Sequence, residues 1–506
     1  MTFERELLLY EQDFKGQGFR GTKCQICTGC GRCVLFDGMP MRVGGEPSEE
    51  RHKLHVVTAN GLADSGVLVP SEPIPSPNGE RLVTVDIGTT TIAAQLYDDK
   101  GNVATDYAGV NPQVRFGADV LSRIQAAEDQ GTAEFMRREV LGELEKVTKC
   151  FRPFLQPNEA MRMVLAGNTT MIYLLMGYDP AELGRAPFDA SHLAAVETVI
   201  GDVPCVSFPA ISAFVGGDIT AGMYACGMTE RQELTLLVDL GTNGEMALGN
   251  RDRKIACATA AGPAFEGGVN RGVWGADMIH LLASLKREGV MDETGLLADE
   301  YFEDGILIGD VRVTQAAIRA IQLAKGAIGA GIRILMKEYG LGENWQAIDR
   351  VVLAGGFGYY LRPKDAVAVG ILPSELEAKS LAGGNTALAG ALRLGRELLA
   401  REAAEGRRIS GDICERGYGA DVAYENSGRS SKDICECGYG ADVACENGGR
   451  PSEDICERGY GVDVAYENGW RLPEDLYESL GVGEVEVLNL AEYPDFEQMY
   501  VQYMNF

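Results

Sequence analysis

Leu82-Val-Thr-Val-Asp-Ile-Gly-Thr-Thr-Thr-Ile-Ala-Ala-Gln-Leu96 and Leu236-Leu-Val-Asp-Leu-Gly-Thr-Asn-Gly-Glu-Met-Ala-Leu248 share one design: an apolar strand ending in Asp-x-Gly-Thr, a tight turn and a second apolar strand. Glycines at 88, 241 and 244 let the backbone turn with its N–H groups toward an anion. Thr89, Thr90, Thr242 and Asn243 add side-chain donors, and Asp86 and Asp239 are suited to hold a hydrated Mg²⁺. Each hairpin, read this way, grips phosphate. A single copy would be an ordinary hairpin of any α/β domain; two copies are a design.

A third element, Val351-Val-Leu-Ala-Gly-Gly-Phe-Gly358, is an apolar strand entering a glycine turn that suits close backbone approach to a nucleoside. The order of the three resembles the actin, sugar-kinase and heat-shock-chaperone superfamily, in which two duplicated α/β lobes clamp ATP in the cleft between them. That resemblance implies an α/β fold with two actin-like, ribonuclease-H-like lobes. It also implies phosphate and Mg²⁺ contacts from the two hairpins, with Gly355, Gly356 and Phe357 bordering the adenosine.

Composition limits the partners. Forty-six basic against seventy-four acidic side chains give a formal charge of −28, which repels a phosphate backbone, so nucleic acid is not expected. The N-terminus lacks a basic region followed by an apolar stretch, and no apolar run is long enough to span a bilayer, which predicts a cytoplasmic protein without membrane contact. The 506 residues are enough for several domains. The reading divides them into a Cys-rich arm and linker (1–80), a first lobe (81–230), a second lobe (231–410), an acidic insert (411–476) and a C-terminal segment packing on the body (477–506).

The cysteines need a reason. Cys24-Gln-Ile-Cys27-Thr-Gly-Cys30-Gly-Arg-Cys33 crowds four thiols into ten residues. The run resembles the ligand spacing of bacterial ferredoxins, so an iron–sulfur cluster on Cys24, Cys27, Cys30 and Cys33 is the lead reading, with [4Fe–4S] favoured over [2Fe–2S]. The alternative is a tetrahedral structural zinc. Cys150, Cys205, Cys226 and Cys257 stand alone in apolar surroundings and read as small core residues.

Within the body, the strand around Met163–Gly167 opens through Asn168 and Thr169 into a helix. Phe208–Gly222 sits where the superfamily places a helix connecting its lobes; there Asp218 either positions Mg²⁺ or the attacking water, or caps the helix. Ala258–Gly268 reads as a glycine-rich loop lining the cleft, with Gly262 and Glu266 as nucleotide-side candidates. The long helical pattern Val313–Met336 carries small residues on one side, and its Lys325 either reaches the nucleotide or is solvated. Asp412-Ile-Cys-Glu-Arg-Gly-Tyr recurs at Asp433 and Asp454 with an echo at Asp475, a period of 21. Because its cysteine positions also hold Arg and Tyr, the repeat is a tandem duplication and not a ligand set.

Eight segments then resemble a narrower family: Asp86-Ile-Gly-Thr-Thr-Thr, Asn111-Pro-Gln-Val-Arg-Phe-Gly, Gly167-Asn-Thr-Thr-Met, Phe208-Pro-Ala, Gly217-Asp-Ile-Thr-Ala-Gly, Asp239-Leu-Gly-Thr-Asn-Gly-Glu, Ala261-Gly-Pro-Ala-Phe-Glu-Gly and Leu353-Ala-Gly-Gly-Phe-Gly. Together they are similar to the ATP-dependent reductive activators of corrinoid proteins. The Cys24–Cys33 run occupies the place of that family's ferredoxin module. The resemblance implies an ATPase coupled to electron transfer, taking electrons from a reduced ferredoxin or flavodoxin-like donor and passing them to a corrinoid protein or other low-potential metalloprotein. It implies ATP, Mg²⁺ and an iron–sulfur cluster as cofactors, a homodimer, and Asp86, Asp218 and Asp239 as the catalytic carboxylates. Two other readings stay open: a small-molecule kinase on the same fold, with Asp218 as base, and a nucleotide-gated binding protein with a zinc knuckle.

Overall fold

Hydrophobic residues alternate between two cores along nearly every central strand, and that alternation organises the molecule. The computed structural model describes residues 22–23, 53–54, 58, 62, 73–76, 79–241, 243–259, 275–308, 311–405 and 472–506. The four N-terminal cysteines, Thr242, Gly262, Glu266 and the 21-residue repeats lie outside the described residues.

The first sheet contains β1 (Glu80–Ile87), β2 (Thr91–Tyr97), β3 (Val103–Val110), β4 (Ala160–Gly167), β5 (Glu197–Ile200) and β6 (Val203–Ser207), in the order β3-β2-β1-β4-β6-β5. The second contains β7 (Thr235–Leu240), β8 (Gly244–Gly249), β9 (Lys254–Thr259), β10 (Arg350–Ala354), β11 (Ser380–Gly384) and β12 (Val485–Leu488), in the order β11-β10-β7-β8-β9-β12. Both are built the same way. A three-stranded antiparallel meander leads into two parallel strands, β1-β4-β6 in one and β7-β10-β11 in the other. This is the expected duplicated, actin-like α/β architecture.

Helices α1 (Val120–Ala126), α2 (Gln130–Phe151) and α3 (Thr169–Met176) belong to the first lobe. Asp129 caps α2 by accepting from Thr132 N at 2.8 Å, and Met136, Val140, Leu144, Val147 and Phe151 form its buried stripe. That stripe meets Val83, Val85 and Ile87 of β1, whereas Leu82 of the same strand faces a different core. Because side chains alternate along a strand, Asp86 shares the Leu82 face.

That second face is covered by α4 (Gly217–Ala225) and, after α5 (Gly275–Arg287) and α6 (Gln315–Glu338), by α7 (Thr386–Glu405). Helix α4 sends Ala221 and Tyr224 toward the first sheet and Ile219 and Met223 toward Leu237, Val352 and Ala354 of the second. Helix α7 leaves the second sheet at β11 yet packs Ala391, Leu394 and Leu398 with Leu82, Val164 and Val206 of the first. The two helices cross at glycine: a Cβ on Gly390 would overlap the Ala221 backbone, and one on Gly222 would lie 3.0 Å from Leu237 Cδ2 and Thr386 Oγ1. Only hydrogen at these positions lets the helix axes approach so closely.

The C-terminal residues complete the second lobe. Leu476 and Leu480 are buried in the core beneath the first sheet, and β12 adds to the sheet edge parallel to β9. Helix α8 (Phe496–Gln502) and the tail then dock on α6, where a Cβ on Gly326 would lie 3.1 Å from Met504 and one on Gly329 would lie 3.2 Å from Tyr503. The small-residue side of α6 thus serves close packing. Cys205, Cys226 and Cys257 are buried, as expected of core residues, but Cys150 is exposed near the end of α2. Among the described residues, no helix is long and apolar enough to cross a membrane.

Candidate functional site

Asp86 ends β1 and Asp239 lies near the end of β7, each on the face its sheet turns toward the crossed helices. Leu237 joins the core against α4 while Leu236, Val238 and Leu240 point to the opposite core, so Asp239 lies on the α4 side. Glu245 pairs directly opposite Asp239 across the hairpin and shares that face. Asp218 comes from the first turn of α4. A Cβ on Gly216 would overlap Asn168, and one on Gly217 would sit 2.9 Å from Phe208 O, so two glycines allow the helix start to seat against β4 and β6. The cap position is Gly216, and Asp218 Oδ1 accepts from the Ile219 N–H at 2.9 Å; Asp218 is therefore not the N-cap.

Four carboxylates from both lobes thus meet in one region. Burial raises the pKa of Asp86 to about 6. Burial and then the Asp86 charge raise Asp218 to about 7. Asp239 rises to about 8 through burial, Asp218 and Asp86, and Glu245 is pushed well above the usual range by burial and the same three neighbours. Mutual repulsion in a desolvated region is the signature of a site that meets positive charge. Among the described residues, no three carboxylate, cysteine or histidine side chains are grouped closely enough to ligate one metal ion directly.

The turn between β1 and β2 is held from behind. Asn111, fully buried, donates from Nδ2 to Gly88 O at 2.8 Å and from its backbone N–H to Thr90 O at 3.0 Å. Arg123, also fully buried, donates to Thr89 O and, through Nε, to Gly117 O at 3.0 Å. Three consecutive carbonyls are therefore drawn into the lobe. In a trans peptide the N–H points opposite to the C=O, so the Thr89 and Thr90 N–H groups are turned to the other side. The Gly88 N–H, expected to face an anion, instead closes the hairpin on Thr91 O at 2.9 Å; likewise the Gly241 N–H bonds Asn243 O at 3.0 Å. The Thr89 hydroxyl accepts from Asn168 Nδ2 at 2.9 Å, and Asn168 caps α3 through Met171 N at 3.0 Å.

In the second hairpin, Asn243 Nδ2 lies 3.3 Å from Glu245 Oε1, and Gly244 pairs with Leu240 at the start of β8. Gly355, at φ +81°, brings the turn after β10 against Asp239, where a Cβ would overlap Asp239 Oδ1. A Cβ on Gly241 or Gly356 would meet no described atom within 4 Å, and Gly356 is exposed. Two expectations are corrected. The Phe357 ring is buried in the second-lobe core and leaves only backbone for a ligand. Lys325 is fully buried, donates to Asn505 O and lies 4.8 Å from the centroid of the Phe506 ring, so its ammonium is committed to the C-terminal tail and not to the cleft.

Asn385, between β11 and α7, was not among the expected site residues. Its Nδ2 donates to Asp86 Oδ2 at 2.7 Å and its Oδ1 accepts from Leu388 N at 2.8 Å.

The fold and the sequence are similar to those of known proteins. A family model described as "RACo middle region" matches residues 82–231, and one described as "C-terminal domain of RACo the ASKHA domain" matches residues 233–271 and 269–413. Together they span more than half of the chain. The chain belongs to the RACo family. The RACo structure named "Reductive activator for corrinoid,iron-sulfur protein" superimposes with a TM-score of 0.62 at 27% identity, covering 85% of this chain and 67% of that one. The "Corrinoid activation enzyme RamQ" of Eubacterium limosum is 30% identical over 398 residues, 64% of this chain. The aligned region spans 65% of that relative's length. The "[Co(II) methylated amine-specific corrinoid protein] reductase" of Methanosarcina barkeri is 23% identical over 389 residues, 63% of this chain and 69% of that protein.

Proposed function

We propose that this RACo-family chain is an ATP-hydrolysing reductive activator, which delivers a low-potential electron to a corrinoid protein. The observation that carries the reading is the convergence of Asp86, Asp218, Asp239 and Glu245 from both lobes, in a chain whose relatives are named for corrinoid activation. Four carboxylates repelling one another, Glu245 buried and the three aspartates half-buried, favour a bound cation.

Asp86 and Asp239 would hold Mg²⁺ through its water shell, since no direct ligand set forms there among the described residues, and Asp218 would orient the attacking water. Bound Mg²⁺ supplies charge neutralisation for the β- and γ-phosphates. The turn at Thr89 and Thr90, fixed by Asn111 and Arg123, would receive the phosphates. Gly355 and Gly356 give the nucleoside its backbone wall. Cys24, Cys27, Cys30 and Cys33 would hold the iron–sulfur cluster, which supplies the one-electron step from Co(II) to Co(I) and is re-reduced by a ferredoxin or flavodoxin-like donor. Energy from ATP enters as lobe closure about the α4–α7 crossing.

The experiment is anaerobic purification with iron, sulfide and zinc analysis, followed by mixing with a Co(II) corrinoid protein, reductant and ATP. Iron and sulfide that vanish in Cys24→Ala/Cys27→Ala, with Co(I) formation dependent on ATP, would support the proposal. Stoichiometric zinc without iron, or Co(I) formation that ignores ATP, would overturn it.

A further inference from the structure

The chain passes from one lobe to the other at Asn385. Strand β11 belongs to the second sheet, paired in parallel with β10 through Ala354 and Gly384, and α7 begins one residue later and lies beneath the first sheet. Gly384, at φ +72°, makes the turn that this change of direction needs. Asn385 follows it, only 9% exposed.

Both ends of its amide are engaged. The oxygen accepts from Leu388 N and caps α7, and the nitrogen donates to Asp86 Oδ2 at 2.7 Å across 299 residues of sequence. Aspartate would keep the cap but set a further negative charge against Asp86. Serine would keep the cap but is too short to span the gap. Only asparagine both caps the helix and donates to the carboxylate.

We infer that Asn385 is a positioning residue for the cleft: it fixes which Asp86 oxygen remains available to the ligand, and it ties that carboxylate to the helix start at which the chain leaves the second sheet. The inference rests on reading the cleft as a Mg²⁺–nucleotide site. With Oδ2 held by the amide, Oδ1 is the Asp86 oxygen left for a ligand. Asn385 acts through Asp86 and touches no reacting atom.

The test is a double-mutant cycle between Asn385→Ser and Asp86→Asn in the full-length protein. Serine retains the cap, so Asn385→Ser should keep the wild-type circular dichroism spectrum and a thermal midpoint within a few degrees of wild type. The expected functional result is a kcat for ATP hydrolysis reduced about 10- to 100-fold with KM for ATP changed less than about 3-fold, as for a lost orienting hydrogen bond. Affinity for ATP is measured with and without Mg²⁺ in each variant, and the factor by which Mg²⁺ tightens binding should shrink in Asn385→Ser. In the Asp86→Asn background the same substitution should have no further effect on that factor. Independent, multiplying effects of the two substitutions, or a loss confined to thermal stability with kcat and the Mg²⁺ factor intact, would overturn the inference. A wild-type protein that binds ATP in a Mg²⁺-dependent way but never reduces a corrinoid protein would count against the proposed function and leave this cycle readable. Failure of the wild type to bind ATP would overturn both.

Discussion

Asp239→Asn should make the ligand-free protein more stable at pH 8 while removing the proposed ATPase activity. Asp239 is half-buried, and desolvation together with the charges of Asp218 and Asp86 moves its titration from 3.8 to about 8. A carboxyl whose folded pKa lies above its unfolded value binds more protons folded than unfolded in that interval, so stability is full at acid pH and falls as pH rises from about 4 toward 8. At about 1.4 kcal/mol per pH decade the whole interval corresponds to roughly 6 kcal/mol. Asp86 and Asp218 share in the repulsion, so neutralising one member recovers on the order of 2–4 kcal/mol at pH 8 and almost nothing at pH 4. For a body of this size, taking roughly 2 °C per kcal/mol, the midpoint should rise by about 4–8 °C at pH 8. Scanning calorimetry without nucleotide or divalent cation, at pH 5 and pH 8, measures it. Adding Mg²⁺ and ATP should stabilise the wild type strongly and Asp239→Asn weakly, because the cation meets less charge. An Asp239→Asn midpoint equal to or below wild type at pH 8 would refute the claim that the cluster is strained by its own charge.

Arg123→Met leaves the Thr89 and Gly117 carbonyls without their buried donor, and titration calorimetry should show ATP affinity reduced by about 10-fold or more; wild-type affinity would show that the turn does not depend on Arg123. Lys325, fully buried, has its pKa lowered to about 7 by burial and then by Lys286, so the folded state carries the cost of its charge in full below pH 7 and progressively less toward pH 10.5. Lys325→Met should therefore be more stable than wild type near pH 6.5, by on the order of 1–3 kcal/mol in denaturant titrations, with the gap closing toward pH 10; a gap independent of pH would contradict the assignment. Gly390→Ala places a methyl group against the Ala221 backbone and should cost about 1–3 kcal/mol while slowing ATP turnover through the displaced lobe angle, whereas Gly142→Ala, in open space on α2, should do neither.

The fold was legible because its decisive information is local. A strand of alternating cores, an acidic residue on one face and a glycine turn can all be read within fifteen residues, and the same reading recurs at 82–96 and 236–248. The helix start at Asn168 was equally local, and an asparagine caps the start at Asn385 in the same way. What stayed hidden was the second bond of each: Asn168 to Thr89 across 79 residues and Asn385 to Asp86 across 299. Arg123 carried no signal either, because a charged residue in a short helix reads as solvated until a buried carbonyl is found above it. Lys325 failed for the opposite reason. A long side chain on a small-residue helix suggested reach into the cleft, but the small residues had been used to seat the tail, and the lysine follows the tail.

Strand periodicity also explains why the carboxylates have to be where they are. An acid on the outer face of either sheet would have lain against α2 or α6, in a core with no compensating charge. On the inner face it meets the crossed helices and Asn385, where carboxylates of both lobes share one region. Any rotation of one lobe on the α4–α7 crossing changes the separation of Asp86 from Asp239 and therefore their repulsion. A cation that favours the short separation favours the closed lobes by the same free energy, and the equivalence runs both ways: whatever opens the lobes weakens the hold on the cation. Charge in the cleft and the angle between the lobes are then one variable.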